Sequence, residues 1–215
     1  MNWYDLVAPG YDRAVRGVYL PYRRKAVQAL RLQPGLTVVD LGCGSGLNFE
    51  LIMDVIGKDG TLIGIDLSIR MLERARKAVE RHRWTNVHLL QKDVRQLGPG
   101  DLDALTGRTT QVDRILCTLG LSVFPAWQQA FERSFDILAG GGRYCVMDLF
   151  NETTTFQTRL VDFLARSEIS RRIWEPLQQR CEDYSEERQP LMHGREVVVI
   201  ASGTKPTTGS DLTTR

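Results

Sequence analysis

The sequence has little of what would mark a membrane-spanning, secreted or metal-binding protein. None of its 215 residues lies in a stretch that approaches the roughly 20 apolar residues of a spanning helix, and the N-terminus has no apolar segment behind a basic start. The four cysteines lie far apart without a Cys-x-x-Cys pair, so we interpret them as free thiols in a reducing compartment. No His, Asp and Glu cluster has metal-ligand spacing, and Asp148 with Asn151 is too small a set. These absences predict a soluble, cytoplasmic protein without a resident metal.

The near-balance of positive and negative side chains also excludes a strong electrostatic field of one sign around the whole protein. With 28 Lys and Arg against 26 Asp and Glu, the formal net charge is +2, which does not demand nucleic acid or a membrane as partner. The basic group formed by Arg13, Arg16 and the run Arg23–Lys25 offers a contact for an anionic head group, although such a run is more often a solvated face. We therefore predict no nucleic-acid partner and at most peripheral membrane contact. No sequence feature specifies an oligomeric state.

Short apolar runs alternate with helical patterns along the chain, which predicts one α/β domain with a parallel sheet covered by helices. The predicted strands are "TVVDLG", "TLIGID", "VHLLQKD", "VDRILCTLG", "GGRYCVMDL" and "REVVVIASG". The predicted helices are Pro21–Leu30, Leu47–Ile56, Ser68–His82, Ala126–Leu138 and a stretch around Phe156, Leu160, Phe163 and Leu164. We divide the chain into an N-terminal helical segment (1–30), the main domain (31–205) and a polar tail (206–215) predicted to be disordered.

The stretch "VVDLGCGSGLNFELI" joins the first strand to a helix through three glycines at every second position. Such a turn places backbone N–H groups and a positive helix end at the sheet edge where open α/β folds bind ligands. A dinucleotide fingerprint would require glycine where Leu47 stands. The carboxylate of Asp40, two residues before Gly42, instead suits a ligand that carries an ammonium group.

Three segments together, "VVDLGCGSG", "GIDLS" and "LLQKDV", resemble the cofactor-binding series of the class I S-adenosylmethionine-dependent methyltransferases. The resemblance implies a Rossmann-like, mostly parallel seven-stranded sheet with helices on both faces and an N-terminal helical lid. It also implies S-adenosylmethionine as cofactor. The segments "WYDLVAPGYDR", "GLNF" and "WEPLQQRCEDY", with the ending "VVVIASG", are similar to small bacterial enzymes grouped with quinone-biosynthesis and phosphatidylethanolamine or betaine-lipid N-methyltransferases.

The cofactor-binding residues follow from this resemblance and from their chemistry. Asp66 ends the second strand, where a carboxylate accepts hydrogen bonds from both ribose hydroxyls, and Leu67 would pack on the adenine. The alternative role of Asp66, a helix cap, is already filled by Ser68. Asp93 can accept from the adenine amine beside the Val94 N–H, or be an ordinary turn aspartate. The predicted set is Tyr22, Asp40, Gly42, Cys43, Gly44, Gly46, Asn48, Asp66, Leu67, Met71, Asp93, Val94, Cys117, Thr118 and Leu119.

The role of Asp40 is left open. It acts either through the amino end of the cofactor or by holding the glycine turn. For Cys117, a core position is preferred to a role as nucleophile. Methyl transfer requires no dedicated acid or base, since most of the catalysis comes from holding the acceptor close and dry. Where a proton must be removed, the candidates are Tyr4, Tyr11, Tyr22 and His193. The resemblance places the N-terminal tyrosines over the cofactor; the alternative is packing of a terminal helix.

The predicted function is methyl transfer to a small or amphiphilic acceptor, such as an amine of a phospholipid-like molecule. The alternatives are a small soluble thiol, phenol or amine, or a quinone carbon. Two other classes remain, an NAD-type oxidoreductase and a non-catalytic cofactor-binding module; Leu47 and the missing tyrosine–lysine pair disfavour the first. "CTLGLSVFP" stands where nucleic-acid amino-methyltransferases usually have an Asn/Asp-Pro-Pro-aromatic run, which disfavours a nucleic-acid base as acceptor.

Overall fold

The computed structural model describes residues 4–151, 168–191 and 197–207, with side chains described from residue 17 onward. Within these ranges, seven strands form one sheet. The strands are β1 (Thr37–Leu41), β2 (Thr61–Asp66), β3 (Val87–Gln91), β4 (Val112–Thr118), β5 (Leu138–Phe150), β6 (Glu182–Pro190) and β7 (Val197–Thr204). Their spatial order is β3-β2-β1-β4-β5-β7-β6.

Helices connect the strands and cover the sheet. They are α1 (Tyr4–Ala29), α2 (Phe49–Ile56), α3 (Ile69–His82), α4 (Pro99–Thr106), α5 (Trp127–Ile137) and α6 (Glu175–Arg180), with a 3₁₀ turn at Val94–Gln96. One core cluster joins α1, α2 and α3 to one face of the sheet through residues such as Leu30, Phe49 and Leu72. A second joins α4, α5 and α6 to the other face. The sheet is therefore buried on both sides, which explains why its central strands are continuous apolar runs.

Strand direction determines where a ligand can bind. The pairs β1–β2, β2–β3, β1–β4 and β4–β5 are parallel, whereas β7 runs antiparallel to both β5 and β6. Leu41 pairs with Ile65 on one side and Cys117 on the other, and Thr118 pairs with Met147. The first five strands therefore end at the same edge of the sheet. This architecture confirms the predicted Rossmann-like, mostly parallel seven-stranded fold.

Several element boundaries agree with the sequence-based predictions, whereas the start of α1 differs and β6 and the short helices α4 and α6 were not predicted. The predicted bounds of α2, α3 and α5 are correct within two residues. The predicted start of the first helix at Pro21 is wrong, because α1 begins at Tyr4 and passes through this proline. The strand β6 was missed because its residues are mostly exposed and polar. The predicted helix around Phe156 and the tail residues 208–215 lie outside the described residues.

Candidate functional site

A cavity of about 360 Å³ opens at the carboxyl ends of the parallel strands. Its volume lies in the range of small-molecule sites, and its position is the ligand edge of open α/β sheets. Turns after β1, β2, β3, β4 and β5 all contribute to its wall, as does α1 through Tyr19 and Arg23. Of the predicted cofactor residues, those that line it are Gly42, Gly44, Asp66, Leu67, Met71, Asp93, Val94, Thr118 and Leu119.

The three glycines of the turn after β1 have different surroundings. All adopt positive φ, at +61° for Gly42, +55° for Gly44 and +82° for Gly46. A Cβ at Gly42 would lie 2.9 Å from the ring of Phe124, and one at Gly46 would lie 2.8 Å from the ring of Phe49. A Cβ at Gly44 would have no heavy atom within 4 Å. Packing therefore excludes side chains at the outer two positions, while Gly44 leaves free space along the cavity wall.

Asp66 connects this turn to the start of α3. Its Oδ2 accepts a hydrogen bond from the Gly44 N–H at 2.9 Å, and its Oδ1 accepts from the Ser68 N–H at 2.8 Å. Burial raises the pKa of the Asp66 carboxyl, while the backbone donors partly oppose that shift. Ser68 is the N-cap of α3, as predicted, because its hydroxyl accepts from the Met71 N–H. The neighbouring Leu67 is 57% exposed, although it is a large apolar side chain. An anchored carboxylate and an uncovered leucine thus lie side by side on the wall.

Asp40 lies behind the wall in a fully buried polar network. Asn48 Nδ2 donates to both of its carboxylate oxygens at 2.9 and 3.0 Å and to Thr118 Oγ1 at 3.0 Å. Arg23 Nη1 completes the network by donating to Asn48 Oδ1 at 2.7 Å and to Thr118 Oγ1 at 2.6 Å. Four elements meet here: β1, the turn before α2, β4 and α1. The network joins α1 to the glycine turn.

Burial raises the pKa of Asp40 to about 7, against the opposing effects of Asn48 and Arg23, and this predicts a pH-dependent stability. The folded chain keeps the Asp40 proton to higher pH than the unfolded chain, whose aspartate pKa is about 3.9. Ionisation of Asp40 therefore lowers the free energy of unfolding as pH rises from about 4 to 7. We expect urea unfolding to show lower stability at pH 8 than at pH 5. The difference should shrink in Asp40→Asn but not in Asp113→Asn, which removes a carboxylate that accepts from Thr37 N–H at the opposite sheet edge.

The carboxylate of Asp93 lines the cavity but already has a partner. Arg95 Nε donates to both of its oxygens at 3.0 Å, and the Arg95 N–H donates to Oδ1. This ion pair lowers the pKa of Asp93. Asp93 therefore caps the short 3₁₀ turn and pairs with a side chain two residues away. Any ligand amine at this position would have to share the carboxylate with Arg95.

Other predicted residues are not on the cavity wall. Asp40, Cys43, Asn48 and Cys117 are buried behind it, and Gly46 packs against α2. Burial raises the pKa of the Cys117 thiol well above its usual range, which agrees with a core role and disfavours a nucleophile. The Tyr22 hydroxyl donates to the Pro190 carbonyl at 3.0 Å, on the β6 side of α1. The side chains of Tyr4 and Tyr11, and all of His193, lie outside the described residues.

Four charged residues that line the cavity were not predicted as site residues, and two of them, Arg23 and Asp148, are buried. Arg23 had been grouped with surface basic residues, yet it is only 7% exposed. Asp148 is 2% exposed at the end of β5 and had been considered only as a metal ligand. Neither has a local motif, because their partners in the fold are 25 to 95 residues away for Arg23 and 26 residues away for Asp148. The sequence could have pointed to Asp148 as a site residue, because it is an acidic residue near the end of an apolar run; it gives no such indication for Arg23.

Of the basic group, Arg24 and Lys25 do not share the buried environment of Arg23, and the side chains of Arg13 and Arg16 lie outside the described residues. Arg24 is exposed, and Lys25 Nζ pairs with Glu187 at 2.7 Å on β6. Among the described residues, no three His, Cys, Asp or Glu side chains could hold a metal ion together. A search of the same part of the chain finds no helix that is long and apolar enough to cross a membrane.

Comparison with protein families gives one matching model, described as a methyltransferase domain, over residues 38–142. Among curated proteins, the arsenite methyltransferase of Halobacterium salinarum is 28% identical over 118 residues, which cover 55% of this chain and 28% of that enzyme. The demethylmenaquinone methyltransferase of Listeria welshimeri is 24% identical over 149 residues, covering 67% of this chain and 60% of that enzyme. The chain thus spans less than two thirds of the length of these relatives.

Solved structures show the same fold. Phosphoethanolamine N-methyltransferase 2 of Haemonchus contortus, in complex with S-adenosyl-L-methionine, superimposes with a TM-score of 0.72. The alignment covers 96% of this chain and 60% of the other, at 11% sequence identity. At this identity the likeness concerns the fold alone, and it includes the edge at which the cavity opens.

Proposed function

We propose that this chain, whose residues 38–142 match a methyltransferase domain, transfers the methyl group of S-adenosylmethionine to a small acceptor. One observation carries the proposal: Gly44, bare on the cavity side, donates its N–H to the Asp66 carboxylate at 2.9 Å. A backbone without Cβ beside a buried carboxylate fits a polar, uncharged sugar lying against the wall. It fits a phosphate poorly, because the carboxylate would repel it.

The residues present fit the adenosine part of this cofactor. The Asp66 carboxylate accepts from the backbone N–H groups of Gly44, Ser68 and Leu67, and its two oxygens offer about four acceptor positions, which leaves room for a ribose hydroxyl. Leu67 supplies an exposed apolar surface for the adenine ring. Asp93 and the Val94 N–H lie on the same wall and are proposed to contact the adenine edge. When bound, S-adenosylmethionine supplies an electrophilic methyl group on a sulfonium.

We assign Asp40 the second of its two predicted roles. It lies behind the wall with 0% exposure, so it acts on the cofactor only through its neighbours. Asn48 hydrogen-bonds to Asp40 and to Thr118, and so links the carboxylate to the segment after the glycine turn and to the end of β4. Arg23, which donates to both of these residues and also lines the cavity, fixes α1 over the same point.

Asp66→Ala is expected to weaken S-adenosylmethionine binding by about 1–3 kcal/mol, or about 5- to 150-fold, through the loss of hydrogen bonds to ribose. The structure adds a second effect, since the same substitution releases the Gly44 N–H. Calorimetry measures the affinity, and Asp113→Asn at the opposite sheet edge is the matched control. Unchanged affinity in a folded Asp66→Ala protein would remove Asp66 from the cofactor site.

The acceptor is proposed to be a small molecule with an apolar body. Beyond Leu119 the wall includes several apolar side chains, among them Val123, Leu149 and Ile169. The relatives act on arsenite and on demethylmenaquinone. Arsenite is disfavoured here because it is a thiol-seeking ligand, and none of the four cysteines lines the cavity. A phospholipid-like amine loses support because Arg23 is buried and Lys25 pairs with Glu187, so a quinol, phenol or small amine is preferred.

Methyl-labelled S-adenosylmethionine tests this proposal directly. The purified chain is incubated with the labelled cofactor and either a total lipid extract or a small polar metabolite extract, and label is counted in each fraction. We expect label in a small molecule, absent when Gly44→Val replaces the wild type. Cofactor binding without label in either fraction would favour a non-catalytic binding module. Label confined to phospholipid would restore the lipid acceptor.

A further inference from the structure

Asp148 is a second acidic side chain on the cavity wall, on a different strand from Asp66. Asp66 ends β2 and Asp148 lies two residues before the end of β5, and β1 and β4 separate these two strands in the sheet. At about 4.8 Å between neighbouring strands, the separation is about 14 Å. Asp148 lies one residue beyond Met147, which pairs with Thr118 at the cavity edge. If adenosine lies at Asp66, as proposed above, Asp148 is on the side of the cavity left for the acceptor.

The Asp148 carboxylate is held in one orientation by the loop after β4. Ser122 donates its N–H to Oδ2 at 3.0 Å and its hydroxyl to Oδ1 at 2.7 Å, and the Leu149 N–H donates to Oδ1 at 2.9 Å. Oδ1 therefore accepts two hydrogen bonds, whereas Oδ2 accepts one and keeps a free lone pair. Asp148 lines the cavity with 2% of the residue exposed, so Oδ2 is the oxygen that can accept from a donor there.

The loop that carries Ser122 is itself fixed. Arg171 Nη1 donates to the carbonyls of Leu121, Ser122 and Phe124 at 2.9 to 3.1 Å, and the Glu168 N–H donates to the Ser122 carbonyl. A Cβ at Gly120 would lie 2.7 Å from Cys117 Sγ, so the chain turns tightly after β4. The carboxylate and its partner are thus preorganised before any acceptor enters.

The wall that carries this carboxylate also has the apolar side chains of Val123, Leu149 and Ile169, and its polar Arg23 and Thr118 are bonded to each other. A single fixed hydrogen-bond acceptor in an apolar pocket selects molecules that donate an O–H or N–H and rejects isosteres that lack one. It also disfavours anions. We propose that Asp148, oriented by Ser122, is the polar anchor of the acceptor pocket, and that the acceptor is a molecule with a hydroxyl or amine donor on an apolar body.

This inference rests on the proposed function, because it takes the other end of the cavity as the cofactor site. The experiment distinguishes failure of the proposed function from failure of this inference. Binding of S-adenosylhomocysteine is first measured by calorimetry in the wild type and in Asp148→Asn. Equal affinities are expected, since Asp148 lies away from the proposed ribose site. No binding to the wild type would overturn the proposed function and, with it, this inference.

The second step measures the binding affinities of phenol and of its methyl ether, anisole, for each protein saturated with S-adenosylhomocysteine. The two probes differ in the hydroxyl donor, which only phenol has. The wild type at pH 8 is expected to bind phenol about tenfold more tightly than anisole, because only phenol donates to a charged oxygen. Asp148→Asn is expected to bring the two affinities within about twofold, while Asp113→Asn keeps the wild-type preference. Equal affinities in the wild type, failure of both probes to bind, or a preference that persists in Asp148→Asn would overturn the proposal.

A measurement on the unaltered chain covers the possibility that Asp148→Asn unfolds. Burial raises the pKa of Asp148 to about 6, while Ser122 and the Arg171 guanidinium oppose that shift; the charge of Asp148 in turn helps to raise the pKa of the Cys117 thiol. The carboxylate is therefore ionised at pH 8 and protonated at pH 5. The preference for phenol should fade between these values. A preference that stays constant at both pH values would contradict the assignment.

Discussion

Gly44→Val is expected to abolish S-adenosylmethionine binding and to leave the domain folded. No heavy atom lies within 4 Å of the position of an added Cβ, so the new side chain meets free space on the cavity wall rather than the core. That space is where the proposed cofactor lies, and calorimetry should detect no heat of binding. The positive φ of +55° adds backbone strain of about 1–2 kcal/mol for a residue with a Cβ.

The control for that strain is Gly35→Val. Gly35 has a φ of +84° and also has no heavy atom within 4 Å of an added Cβ, but it is exposed in the loop before β1. Both variants should lose similar thermal stability, and only Gly44→Val should lose binding. Binding retained in Gly44→Val would mean that the glycines serve the turn alone.

Removal of residues 1–20 is expected to leave a folded domain that has lost turnover by about 100-fold or more, because misplaced acceptors react slowly and water enters the site. We propose that residues 1–30 act as a lid of the main domain (31–205). Among the residues with described side chains, those that α1 buries in the core lie after the deletion and include Tyr22 and Ala26, whereas Tyr19, which would be removed, is only partly buried against them. Pro21 would become the first helical residue, a position that proline favours.

Two measurements define the result of this truncation. Thermal unfolding should keep a single cooperative transition, and methyl transfer to the acceptor identified by labelling should be lost while cofactor binding is reduced much less. Deletion of residues 208–215 is the matched control and should change neither property. Loss of the cooperative transition would assign the first 20 residues to the core instead.

The central elements were predictable because their patterns are local. Apolar runs of five to seven residues became β1, β2 and β4, since both faces of this sheet are covered by helices. The N-cap Ser68 marked the start of α3 correctly because its hydroxyl accepts from Met71 N–H, three residues later. Gly44 and Asp66 were assigned to one site because parallel strands bring their ends to a common edge.

The elements that were missed lack a local signal or have a competing one. β6 is an edge strand with exposed charged residues, which pairs only with β7 and shows no alternation of apolar residues. Pro21 suggested a helix boundary because it has no N–H to donate, yet α1 continues through it. The burial of Arg23 depends on Asn48 and Thr118, which lie in other elements. Only the assembled fold brings these three together.

The same limitation applies to the details of the site. The sequence left open whether Asp40 contacts the cofactor, and the answer depends on the side chain of Asn48, which covers both carboxylate oxygens. The pairing of Asp93 with Arg95 is local, but many side-chain conformations satisfy the same spacing. Asp148 acquires its orientation from Ser122 on a neighbouring loop. Such contacts are determined by packing rather than by spacing.

The most direct test of the central claim compares nucleotide cofactors on the unaltered chain. Calorimetry with S-adenosylmethionine, S-adenosylhomocysteine, NAD⁺ and NADH measures which of them binds at the glycine turn, with Gly44→Val as the site control. We expect saturable binding of the two sulfur compounds, lost in Gly44→Val, and no binding of the dinucleotides. Binding of NAD⁺ or NADH, with no heat from S-adenosylmethionine, would contradict the account.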